Sequence, residues 1–181
     1  MIVALAGRRI DAEGSESERF PLTNVGLVKE KLKALLISLK PQVLISSAAC
    51  GSDLIALQVA GELNIRRSIV LPFSQAAFKL SSVIDRPGDW GNLFDTICLE
   101  VSNEEKMVER NYPQNDDETY RKANLDILER AKILAEKFGS LQEMVAIVVW
   151  EGKPKSENDT TEHFKKNAEA RHFTIQEIIT V

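Results

Sequence analysis

Three short stretches of this sequence carry side chains that can hold or transform a ligand. The first is Gly7-Arg8-Arg9, directly after the apolar run Ile2–Ala6. Glycine permits close backbone approach, and two neighbouring guanidinium groups suit a phosphate or carboxylate. The second is Ser46-Ser47-Ala48-Ala49-Cys50-Gly51-Ser52-Asp53. Small residues between a strand and a helix leave backbone N–H groups open at the helix start, an anion site by geometry and dipole. Ser47, Ala48, Cys50 and Gly51 form that candidate cradle, and Asp53 in the first helical turn can accept from a ribose hydroxyl. The spacing is neither a dinucleotide GxGxxG nor a Walker A loop. Cys50 sits where a thiol can gain thiolate character, but with no histidine close in sequence it reads better as a small filler.

The third stretch follows the run MVAIVVW, which ends at Trp150. It opens with Glu151-Gly152-Lys153 and continues to Asp159-Thr160-Thr161-Glu162-His163. Thr160 or Thr161 can cap the next helix and also touch a phosphate. Glu162 and Asp53 are the candidate catalytic carboxylates. His163 reads as an ordinary helix-surface histidine. Pro72 and Phe73, with Phe78 beyond them, stand where an aromatic can sandwich a base. Tyr120 and Asn124 are four apart and share a helix face, so either can reach a ligand.

The elements that must position these residues alternate along the chain. Ile2–Ala6, VLIS from Val43, SIVLP from Ser68 and Met144–Trp150 are continuous apolar runs, as expected of strands buried on both faces. A helix from Thr23 carries Val28, Leu32, Leu35, Leu36 and Leu39, and Pro41 lies just past its end. Another follows Asp53, with Leu54, Leu57 and Ala60 on one face. Past Pro72 the pattern loosens: a short helix over Trp90 to Asp95 and a strand over Ile97 to Val101 are expected. A long helix over Asp116 to Phe138, a helix from Thr161 and a strand over Phe173 to Val181 complete the reading. The segment Leu134 to Glu143 has no assigned role. The alternation predicts an α/β fold, a Rossmann-like three-layer αβα sandwich with a mainly parallel sheet, in one domain spanning residues 1–181. Such sheets bind ligands beyond the C-terminal strand ends, where the strand order reverses.

Composition narrows the functions. The 181 residues carry a net charge of −4, which argues against nucleic acid and against anionic membrane. No apolar stretch approaches the ~20 residues that span a bilayer, and the start Met-Ile-Val-Ala-Leu-Ala lacks the marks of a signal peptide. A cytoplasmic location is expected. The two cysteines, Cys50 and Cys98, show no CxxC pairing, so no metal is expected, nor any cofactor. A homo-oligomer is left open.

Taken in order, Gly7-Arg8-Arg9, SSAACGSDLIALQVA, LPF with Phe78 and Ser81-Ser82-Val83, and VVWEGKP with DTTEHF resemble the SLOG superfamily. That group includes the lonely-guy phosphoribohydrolases, the Smf/DprA domains and bacterial domains suggested to sense nucleotide-derived ligands. The first motif also resembles the small YpsA-like members. The resemblance implies a nucleotide-like small-molecule pocket lined by Gly7, Arg8, the Ser47–Asp53 loop and the Gly152–Thr161 loop. The phosphoribohydrolases carry a GGxGTxxE motif. The comparable Glu157–Phe164 stretch lacks its glycines, and no glutamate falls at the catalytic spacing.

Ligand binding without established catalysis is the leading expectation. The alternatives are an N-glycosidic-bond hydrolase or transferase and a DNA-binding Smf/DprA-like domain. Replacement of Arg8 by alanine is expected to weaken binding of a phosphorylated ligand about tenfold to a hundredfold and to leave the fold intact. Asp159 is expected to repel a phosphate.

Overall fold

The chain winds outward from the middle of one sheet and then crosses back. A computed structural model describes residues 1–102, 107–114, 116–139, 141 and 143–181. The strands are β1 Ile2–Gly7, β2 Val43–Ser46, β3 Arg66–Leu71, β4 Met107–Glu109, β5 Met144–Trp150 and β6 Thr174–Ile179. The helices are α1 Val25–Leu39, α2 Ser52–Glu62, α3 Gln75–Ser82, α4 Trp90–Ser102, α5 Asp117–Lys137 and α6 Thr160–Ala170. The strand order is β4-β3-β2-β1-β5-β6, and every pair is parallel. The order therefore reverses between β1 and β5, the crevice where open α/β sheets take their ligands.

Both faces of the sheet are covered. Val3, Leu5 and Leu44 point into one apolar layer with residues of α1, α2, α3 and α4. Ile2, Ala4 and Ile45 point into the other, against α5 and α6. This alternation explains why β1 and β5 carry no charged side chain and β2 has only Ser46, at its end, as a polar one: both directions lead into core. The architecture is the expected Rossmann-like three-layer sandwich, and its sheet is wholly parallel. No described helix is long and apolar enough to cross a membrane. Among the described residues no cluster of His, Cys, Asp and Glu could hold a metal ion.

One element differs in type from its expectation. Ile97–Val101 is the second half of α4, not a strand, and the short helix starting at Trp90 runs on to Ser102. The buried residues Trp90, Phe94, Ile97, Cys98 and Val101 recur at three and four, which aims one helical face at the core. The strand beside β3 is instead β4, three residues long. A further helix, α3, fills the region after Pro72; the hydroxyl of its cap Ser74 accepts from Ala77 N–H at 3.4 Å. The Leu134–Glu143 segment is the end of α5 and the turn into β5; its Ser140 and Gln142 lie outside the described residues.

Candidate functional site

The backbone after β1 is clamped between the start of α2 and the end of β5. Arg8 N–H donates to Val149 O at 2.8 Å, and the Ser52 hydroxyl donates to Arg8 O at 2.7 Å. Gly7 is required by this close approach. A Cβ there would lie 2.6 Å from Ser52 Cβ and from Val149 O. Gly51 turns the chain into α2 at φ +90°, with Arg8 O 2.9 Å from where its Cβ would be. Both glycines thus serve backbone packing around the cleft.

Above this clamp lies a cavity of about 230 Å³. Of the residues singled out in the sequence, Gly7, Arg9, Ser47, Asp53, Thr160 and Thr161 line it. The residues starting α2 and α6 stand on its wall, so two positive helix ends converge there. Phe78, Tyr120 and Asn124 complete its wall. Asn124 is held in place by donating to Thr160 O at 3.0 Å, and Ser82 and Tyr120 hydroxyls meet at 3.5 Å. An outer hollow of about 270 Å³ adjoins the cavity and shares Gly7, Arg9, Lys155, Thr160 and Thr161 with it. Its remaining polar lining is mostly basic, with Arg8, Arg19 and Arg86 against Asp11.

Several expected contacts are displaced. The Arg8 side chain is only 6% exposed, and its guanidinium is engaged inside the protein rather than offered to a ligand. It donates from Nε to Glu151 and from Nη1 to Asp159 Oδ1 at 2.9 Å. It also donates from Nη1 to Thr161 Oγ1 at 3.2 Å and from Nη2 to Lys153 O at 3.1 Å. Arg8 is thus a strut between β1 and the start of α6, reaching only the outer hollow. Ala48 and Cys50 are fully buried behind the cradle, and burial pushes the Cys50 thiol up to about 11, which removes any thiolate character. Gly51, Pro72 and Gly152 do not line either hollow. Phe73 stands behind the wall and packs on Phe78 and Tyr120, with ring centroids 5.9 and 6.4 Å away.

The acids are also redistributed. Asp159 caps α6, accepting from Thr161 N–H at 2.8 Å and Glu162 N–H at 3.0 Å, and it pairs with Arg8. Burial raises its pKa, but the Arg8 hydrogen bond and the N–H groups of Lys155 and Glu162 outweigh burial and hold it down at about 2. Its charge is neutralised and turned from the cavity, so it does not stand where a phosphate would be repelled. Glu162 points outward and pairs with Lys166 at 3.1 Å. Of the two candidate catalytic carboxylates, only Asp53 lines the cavity. Burial pushes the Asp53 carboxyl up to about 7, against smaller lowering effects of Ala49 N–H, Ser46 and Arg9. Lys155 and Ser82 also line the cavity. Ser82 lies within the LPF…SSV stretch, whereas Lys155 sits in a polar loop with nothing in its local sequence to mark it.

No protein-family model matches the chain, and no curated protein matches it. Among solved structures it is similar to DNA processing protein A (DprA) from Streptococcus pneumoniae, at 15% identity and a TM-score of 0.41. That match covers 96% of this chain and 57% of the other. It is also similar to UDP-GlcNAc 2-epimerase from Methanocaldococcus jannaschii, at 14% identity and a TM-score of 0.33, over 87% of this chain and 55% of that one. The chain spans a little over half the length of each.

Proposed function

We propose that this chain is a SLOG-type domain that binds a nucleotide or nucleotide-derived ligand at the C-terminal edge of its sheet. One observation carries the reading. Gly7 and the starts of two helices, α2 and α6, converge on one cavity at the reversal of strand order, together with aromatic and hydroxyl side chains. Helix starts favour anions, and Tyr120, backed by the buried Phe78, offers flat surface for a base or sugar. The motif order of the superfamily runs through the same residues: Gly7, Ser47, Asp53, Thr160 and Thr161.

A second reading is cleavage or transfer at an N-glycosidic bond. It is favoured only by Asp53, a carboxyl near neutrality on the cavity wall. Oxocarbenium-like transition states call for such a group. Glu162 has no part in this version.

The test is a thermal-shift screen against nucleosides, nucleoside monophosphates and NAD-type compounds, with chromatography of the products. A ligand at a hundredfold its Kd stabilises by ~2.7 kcal/mol. For a domain of this size that is a rise of about 5–10 °C. No rise with any member at millimolar concentration removes the binding reading, and release of free base promotes the second.

A further inference from the structure

The inner cavity and the outer hollow offer different chemistry. Around the inner cavity the polar lining is largely hydroxyl, and Asp53 is the one acidic side chain among the described lining residues. The Asp53 side chain is more than nine-tenths buried, and its Oδ2 accepts from Ala49 N–H at 3.3 Å. Its Oδ1 is buried without a hydrogen-bond partner among the described residues. The Ser46 hydroxyl nearby gives its proton to Leu5 O at 3.0 Å, and the Ser47 hydroxyl gives its own to Val70 O at 3.1 Å. A buried carboxyl oxygen left without a donor is costly. A ligand that brings one O–H donor to this wall removes that cost.

The outer hollow is the more cationic of the two. Arg19 and Arg86 line only this hollow, and Arg9 and Lys155 line it where it meets the inner cavity; Arg9 and Arg86 also pair with Asp85, and Arg19 with Glu151. Its one acid, Asp11, is turned to its own loop and accepts from Arg19 N–H and Phe20 N–H at 3.0 Å. Gly7 and Thr160 lie on the ridge between the two spaces. The carboxyl lies on the inner side only and the cations gather at the boundary and beyond it, which favours one sense for a nucleotide.

We infer that the ligand is a ribonucleotide laid across the Gly7–Thr160 ridge, its sugar giving a hydroxyl to Asp53 in the inner cavity and its phosphate resting among the cations of the outer hollow. Asp53 is on this account the specificity residue for ribose. The inference rests on the nucleotide-binding reading above and adds to it the orientation and the sugar. It moves the phosphate away from the Ser47–Gly51 loop, where the Asp53 carboxyl stands too close.

Calorimetric titration of the full chain with adenosine, guanosine, cytidine and uridine 5′-monophosphates, each beside its 2′-deoxy and 3′-deoxy forms, tests it. At least one ribonucleotide is expected to bind, with one of its deoxy forms weaker by about tenfold to a hundredfold. Asp53→Ala, which removes the acceptor, is expected to erase that difference. Lys155→Ala is expected to weaken the monophosphate more than the parent nucleoside. The comparison of ribose with deoxyribose uses the wild-type chain, so it stands even where a variant folds poorly. Equal affinity for the ribo and both deoxy forms overturns the role of Asp53 while sparing the nucleotide reading. Binding of none of these nucleotides overturns both.

Discussion

Two aspartates stand at the starts of two helices around the same cleft, and the protein treats them in opposite ways. Asp53 opens α2 and Asp159 caps α6, and both are buried. Burial alone drives a carboxyl toward its neutral form. At Asp53 that effect prevails and the carboxyl titrates at about 7. At Asp159 the Arg8 guanidinium and three backbone N–H groups prevail, and it titrates at about 2. A helix start is therefore not a fixed electrostatic environment. A cation delivered from another strand decides whether the acid there is a structural anchor or a group left open for a ligand.

The largest test of this contrast removes the cation. Arg8→Ala leaves Asp159 buried with only backbone N–H donors and Glu151 with Arg19 as its one remaining cation, and breaking a buried pair in this way costs about 3–5 kcal/mol. Chemical denaturation should show that loss, and the melting temperature should drop by about 6–20 °C. The sequence alone suggests an intact fold for this variant; the buried network argues the reverse. A melting temperature within a degree of wild type would show that Arg8 is not a strut.

The second test neutralises the unpaired acid. The folded-state pKa of Asp53 lies above its unfolded value, so the folded protein is favoured while the group is protonated. That advantage is complete below pH 3.8 and disappears as pH rises to about 7. Asp53→Asn mimics the protonated form at every pH. It should be close to neutral for stability at pH 4 and stabilising at pH 8, by up to about 4 kcal/mol. Urea unfolding at the two pH values measures this. A stability difference that does not change with pH rules out the raised pKa.

The third test runs the other way in pH. Asp159 has a depressed pKa, so its contribution is complete above pH 3.8 and is lost as pH falls through about 2. The wild type should lose ~2 kcal/mol relative to Asp159→Asn between pH 5 and pH 2. Parallel acid-unfolding curves for the two proteins would contradict the pairing with Arg8.

The same contrast explains what the sequence reveals and what it conceals. β1 and β5, and the apolar stretches Val43–Ile45 of β2 and Ile69–Leu71 of β3, are legible because burial on both faces makes those positions apolar. The reversal of strand order then places the residues after β1, β2 and β5 around one cleft, which is why Gly7, Ser47, Asp53, Thr160 and Thr161 can be picked out. Side-chain direction is not legible. Glu151 and Asp159 follow Arg8 by 143 and 151 residues, and nothing local to Gly7-Arg8-Arg9 announces their approach. Ala48 and Cys50 share the cradle's small size but face the core. In α4, the dense run Ile97-Cys98-Leu99 imitates a strand, and only the spacing from Trp90 onward exposes the helix. The three-residue edge strand β4 is too short and too exposed to carry a period.

A third carboxylate supplies the smallest and sharpest comparison. Glu162 shares the first turn of α6 with Asp159, three positions further along the chain. On a helix that separation still turns the side chain to a different direction from the cap, and here it turns outward to Lys166 at 3.1 Å. An ion pair of this kind, four apart on a helix surface, contributes about 0.3–0.5 kcal/mol. Its carboxylate also complements the helix dipole by a similar amount. Glu162→Gln should therefore change stability by no more than about 1 kcal/mol and leave nucleotide affinity unchanged, whereas Asp53→Ala alters binding from inside the cavity. Titration of both variants with the same nucleoside monophosphate separates the two acids. If Glu162→Gln instead abolished a measurable release of free base, the outward pose of Glu162 would not be the working one, and the glycosidic-bond reading would pass from Asp53 to Glu162.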